Sequence, residues 1–128
     1  MTTDDDRSMH IGEIAGRTGL SLRTIRHYDE IGLVTASGRT EGGFRLYTSG
    51  DLDRLLLVRR MKPLGYSLEE MSELLSAVDT VRVDASGSDA EGSRARLDQF
   101  IAVGERRRTE LQDQLNKADE FLEMLRRQ

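Results

Sequence analysis

Up to residue 78, apolar side chains come in short bursts separated by glycine and polar turns, whereas from 94 to 128 they recur at alternating steps of three and four. The first burst puts Ile11, Ile14 and Ala15 on one helical face. Gly19 then allows a sharp turn, after which Leu20 is expected to plug into the core. Ser21 is a good N-cap for a second helix whose inner side is Ile25, with Ile31 and Leu33 closing it beyond Tyr28. A small residue, a glycine four positions later and then a capped helix is the spacing that lets two helices cross closely, as in a helix-turn-helix. The outward face of the second helix carries Arg23, Thr24, Arg26 and His27. A plain αα-corner with solvated arginines fits the same residues.

Further on, "GLVTA" and "FRLYT" predict two short strands joined by a turn rich in Gly, Ser and Thr. Alternation assigns Phe44 and Leu46 to one face, and Arg45 and Tyr47 to the other. A glycine-hinged hairpin tip can lie close to a phosphate backbone, with Arg39 and Arg45 bonding phosphate oxygens. Equally, the hairpin can pack on the core, its arginines keeping an edge soluble. Two helices follow, each opened by a capping box: Thr48 with Asp51, and Ser67 with Glu70. Their inner faces are Leu52, Leu55, Val58 or Arg59 and Met61 to Leu64 in the first, and Leu68, Met71, Leu74 and Leu75 in the second. Pro63 and Gly65 end the first. Arg59, Arg60 and Lys62 form a basic end that either reaches the same backbone as the hairpin or is simply solvated.

The late periodicity is of another kind. Leu97, Ile101, Gly104, Arg108, Leu111, Leu115, Ala118, Leu122 and Leu125 make a heptad seam along one helix, 94–128, roughly 50 Å long at about 1.5 Å per residue. Such a stripe needs a partner helix. Gly104 and Arg108 weaken the seam, and a helix folded back on its own domain would also hide it. Four segments result: a polar, acidic N-terminus, 1–8, expected to be disordered; a compact domain, 9–78; a patternless linker or loop, 79–93; and the seam helix, 94–128.

Composition narrows the chemistry. The 128 residues are 37% apolar and 33% charged, enough for a small domain with a modest core. No stretch is apolar enough to span a bilayer, and "MTTDDDRSMH" is acidic where a secretory signal is basic, so the expected location is the cytoplasm. The absence of cysteine excludes disulfides, thiolate metal sites and thiol redox sensing, and two histidines do not replace them. No metal or cofactor is expected, and no carboxylate pair, activated nucleophile or phosphate loop suggests an enzyme. Net charge is −4, yet from Arg17 to Lys62 nine cations face five acids.

In order and spacing, "IGEIAGRTGLSLRTIRHYDEIGLV", "GRTEGGFRLYTSGDLDRL" and "MKPLGYSLEEMSELL" resemble the N-terminal DNA-binding domain of MerR-type transcription regulators. The resemblance covers about Met9 to Val78. It implies a mostly α fold: a winged helix-turn-helix with a two-stranded wing, a two-helix extension and a long C-terminal coiled-coil helix. Positions matching the family's DNA contacts are Arg17, Ser21, Arg23, Thr24, Arg26, His27 and Tyr28 around the recognition helix, and Arg39, Phe44, Arg45 and Tyr47 in the wing. Many relatives have tyrosine at the positions of His27 and Phe44 and proline near Ala36. Losing a hydroxyl at Phe44 shifts the weight to Arg45 and Tyr28.

The resemblance further implies an antiparallel coiled-coil homodimer, joined through Leu97, Ile101, Leu111, Leu115, Ala118, Leu122 and Leu125. Such a dimer would bind a near-palindromic site in double-stranded DNA and distort the promoter for RNA polymerase. An architectural or excisionase-like DNA-bending protein, acting without RNA polymerase, would carry the same parts. Metal- and redox-sensing relatives carry cysteines and drug-sensing ones an added effector domain. Here the expectation is regulation without a small effector, or a small apolar ligand beside the coiled coil.

Overall fold

The computed structural model describes residues 8–83 and 88–128, side chains 88–90 excepted. Of the expected disordered segment 1–8, all but Ser8 lies outside the described residues. Two compact units result, divided after Leu75.

In the first unit a two-residue strand β1 (Met9–His10) leads directly into α1 (Ile11–Thr18). Ile14 is fully buried, and Gly19 ends the helix in the left-handed conformation, φ 73°, its N–H bonded to the Ala15 carbonyl. Thr18 is buried with it. Its hydroxyl donates to the Ile14 carbonyl at 2.8 Å and accepts from the Leu20 N–H, so the turn is tied by a side chain as well as by backbone. Leu20 is only half-buried. The second helix, α2 (Leu22–Glu30), begins at the expected Ser21 cap, whose Oγ accepts from Thr24 N–H at 3.0 Å. It buries Ile25 and Tyr28, while Ile31, expected to close the core, is 45% exposed.

The first wing strand is not "GLVTA". After α2 the chain turns at Gly32, φ 76°, and the N–H groups of Leu33 and Val34 both bond to the Tyr28 carbonyl. Those two residues wrap the helix end and are buried there, so they cannot also form a solvent-facing strand. The strand comes later, as β2 (Gly38–Arg39), and pairs with β3 (Arg45–Tyr47). On its other side β3 pairs with β1, giving an antiparallel sheet in the order β1-β3-β2. In register Met9 faces Tyr47, and Arg39 faces Arg45. The tip closes through Gly43 N–H to the Thr40 carbonyl, with Gly43 at φ 85°.

Helix α3 (Ser49–Met61) starts at the full Thr48–Asp51 capping box and buries Leu55, Val58 and Met61, Val58 rather than Arg59 taking the inner position. Asp51 also accepts from Ser37 N–H and Ser37 Oγ, anchoring the start of the wing to the helix cap. A 3₁₀ turn (Lys62–Leu64) containing Pro63 follows, ended by Gly65 at φ 78°. The second capping box holds too: Ser67 Oγ accepts from Glu70 N–H and Glu70 from Ser67 N–H. Helix α4 (Leu68–Val83) buries Met71 and Leu75, but Leu68 is 44% exposed.

The expected linker 79–93 is largely helical among the described residues. Helix α4 runs on to Val83, and α5 (Ser88–Arg126) begins well before residue 94. No glycine or proline stands between Tyr66 and Ser86 to stop α4. In the second unit Phe100 is buried, with the Arg96 guanidinium 4.8 Å from its ring centre. Along α5, one-turn ion pairs Arg94–Asp98, Asp113–Lys117 and Glu123–Arg127 support the helix. Ile101, Leu111, Leu115, Leu122 and Leu125 are all exposed. No helix among the described residues is long and apolar enough to cross a membrane.

Candidate nucleic-acid interface

The periodicity of α2 decides which of its side chains can meet a ligand. With Ile25 and Tyr28 turned inward, Arg23, Arg26 and His27 are left exposed and Thr24 half-exposed. These four and Tyr28 line one wall of a cleft of about 880 Å³, and Lys62 and Tyr66, from the turn between α3 and α4, line the opposite wall. Tyr28 lies in that wall with its ring tilted 41° to His27, and burial raises its phenol pKa. The cleft therefore gathers cations from two separate parts of the chain beside two tyrosines, Leu68 and Met71, with Glu30 as its one acid. That is a surface suited to an anionic polymer with flat or apolar faces.

At the N-terminal end of α2, Ser21 and Thr24 are joined hydroxyl to hydroxyl at 2.9 Å as well as through the cap. Arg17, in the last turn of α1, is exposed and paired with Glu13 at 3.1 Å. Both stand at the edge of the helix-turn-helix, where a surface pair holds its arginine loosely.

Arg45 and Tyr47 share one side of β3, as alternation assigned them, but that side faces inward. Tyr47 is fully buried and its hydroxyl has no hydrogen-bond partner among the described residues; burial raises its pKa, and the charge of Asp29 adds to the shift. It is a core side chain, covered where β3 lies against α1 and α3. Arg45, on the same side, is 21% exposed and its Nε donates to Asp29 Oδ2 at 2.7 Å. Arg39 is 53% exposed, lies 3.5 Å from the same carboxylate oxygen, and donates through Nη1 to the Gly43 carbonyl. Phe44 is 70% exposed at the tip, and a Cβ at Gly42 would come within 3.3 Å of its ring. Glycine at 42 thus leaves room for the ring beside the turn.

In the sequence Asp29 is one of the five acids between Arg17 and Lys62, with no pattern to single it out. Its partners lie 7, 10 and 16 residues further along, at Ala36, Arg39 and Arg45, beyond any local pattern. Burial works to raise its pKa, but the Arg45 hydrogen bond, the Ala36 N–H and the charges of both arginines outweigh burial and hold it below the usual carboxylate value. Arg45 is raised in turn, first by its bond to Asp29.

Comparison with known proteins matches residues 9–78 to the family described as MerR HTH family regulatory protein. The mercuric resistance operon regulatory protein of Bacillus cereus is 44% identical over 69 residues, 54% of this chain and 52% of that protein. The HTH-type transcriptional regulator ZntR of Escherichia coli (strain K12) is 39% identical over 102 residues, 80% of this chain and 70% of the relative. The chain thus spans about half the length of the first of these and more of the second. Among solved structures, HiNmlR, a MerR family regulator lacking the sensor domain, bound to promoter DNA, aligns with a TM-score of 0.60 and 26% identity, over 93% of this chain and 85% of that one. The helix-turn-helix, the wing, α3 and most of α4 lie within the matched region, and the chain belongs to the MerR helix-turn-helix family of DNA-binding transcription regulators.

Proposed function

We propose that this protein regulates transcription by binding a near-palindromic promoter site as a homodimer and distorting the duplex. The observation that carries this reading is the cleft: Arg23, Arg26 and His27 on α2 share it with Lys62, so helix and turn can bind one stretch of DNA together. In this reading α2 enters the major groove, where Arg23, Thr24, Arg26 and His27 meet base edges or phosphates. Tyr28 packs beneath them. Arg17, Ser21 and Lys62 grip the backbone on either side, and the wing adds Phe44 and Arg39. Tyr47 is left out of the contact set because its side chain is sealed in the core.

The exposed stripe of α5 supports pairing with the same helix of a second copy, since a helix that keeps large apolar residues in water along one face gains by covering them. A two-fold dimer matches a near-palindromic site, and a rigid spacing between its two recognition helices bends or untwists DNA that does not fit it. RNA polymerase at the distorted promoter is the partner this implies, in the cytoplasm.

Mapping of bound sites across the source genome, joined to transcript changes on deletion, tests the regulatory reading. Bound promoters with altered transcripts are expected; bound sites with unchanged transcripts would replace it with an architectural role. In binding assays at fixed salt, Arg26→Ala should weaken the duplex complex by about 1 to 3 kcal/mol. Unchanged affinity would remove α2 from the interface.

A further inference from the structure

Most of the proposed contact residues are cations or hydroxyls, yet the side chain that joins the two halves of the interface is an acid. Asp29 lies in the last turn of α2, 10% exposed. One carboxylate oxygen accepts from Ala36 N–H at 3.0 Å, in the segment leaving the helix. The other accepts from Arg45 on β3 at 2.7 Å and from Arg39 on β2 at 3.5 Å. Because Arg39 and Arg45 face each other across the ladder, a single carboxylate reaches both strands of the wing from the end of the recognition helix.

The two arginines are not equivalent. Arg45 is largely covered and held by a short charge-assisted bond, the geometry of a fixed strut. Arg39 is more than half exposed and its bond to Asp29 is long, so a phosphate can take that guanidinium without exposing an unpaired buried charge. We propose that Asp29 is a positioning residue that fixes the wing against the end of α2, with Arg45 as its strut and Arg39 as the cation the wing gives to DNA. The part assigned to Arg39 rests on the DNA-binding reading; the strut does not. Its effect on recognition is geometric: the separation between groove contact and backbone contact is set within the protein, so DNA must conform to it.

The chain has no cysteine, so Glu41→Cys at the exposed wing tip provides a single attachment point for a nitroxide. Asp29→Asn and Arg45→Met should each increase the mobility of that label, the double variant no more than either alone, and Arg39→Ala, which removes only the bond to the Gly43 carbonyl and the long contact to Asp29, should increase it less than either. On a duplex selected by the unsubstituted protein from a random pool, Asp29→Asn and Arg45→Met should weaken binding by about tenfold with the salt dependence intact. Arg39→Ala should reduce the slope of log K against log salt by about one. An unaltered spectrum in Arg45→Met, or a slope reduced by one in that variant, overturns the proposal. Arg45→Met leaves the bond from Ala36 to Asp29 in place, so it decides the matter if Asp29→Asn fails to fold. Failure of the unsubstituted protein to select any duplex would count against DNA binding alone, because the label reads the strut without DNA.

Discussion

The two units treat their apolar side chains in opposite ways. In the first, Ile14, Ile25, Val34, Tyr47, Leu55 and Val58 are 1% exposed or less, drawn from three helices, a strand and the loop that wraps α2. In α5, Ile101, Leu111, Leu115, Leu122 and Leu125 each keep 43 to 54% of their surface in water. The first arrangement needs no other chain, since every element there has a neighbour to bury against. A single long helix with such a stripe has its hydrogen bonds satisfied but not its apolar face. One region therefore encodes a fold, and the other supports the proposed association.

That contrast can be broken most sharply in the middle of the stripe. Leu115→Lys should place an uncompensated charge in the dimer seam, costing association about 3 to 5 kcal/mol, and sedimentation equilibrium should then report monomers while the first unit keeps its melting transition. A dimer of unchanged strength would show that α5 pairs by another face or not at all. The converse change is Leu55→Ala, which empties a fully buried site in the first unit. It should cost about 2 to 5 kcal/mol of stability, read from thermal or denaturant unfolding, with the association of α5 unaffected.

The smallest effect concerns pH. Asp29 has its pKa lowered in the folded protein, so its contribution is complete above the unfolded carboxylate value near 3.9. It is lost as pH falls through the lower folded value. Acid titration of stability should accordingly show the parent protein exceeding Asp29→Asn at pH 5 to 7, roughly the range where carboxylates are ionised, and the gap closing in strong acid. A gap that widened toward acid would contradict the assigned direction.

Much of the first unit was legible because its signals are local. Ser21, the Thr48–Asp51 box and the Ser67–Glu70 box mark helix starts within four residues of themselves, and Gly19 and Gly65 mark ends in the same way. The wing was harder. Period-two alternation placed Arg45 and Tyr47 on one face but could not say whether that face looked in or out, since Phe44 and Tyr47 offer an aromatic to each side. What settles it is the packing of α1 and α3 against β3, which covers Tyr47 and is not a local signal. Asp29 was invisible for a related reason: its worth lies in donors brought to it by the hairpin, not in its neighbours along the helix.

The open stripe of α5 has a consequence for dosage. If only the paired form holds both halves of an operator, then below the dimer dissociation constant the competent species grows with the square of the number of chains present. A modest rise in synthesis would then act as a threshold, with no small molecule needed to make the response steep.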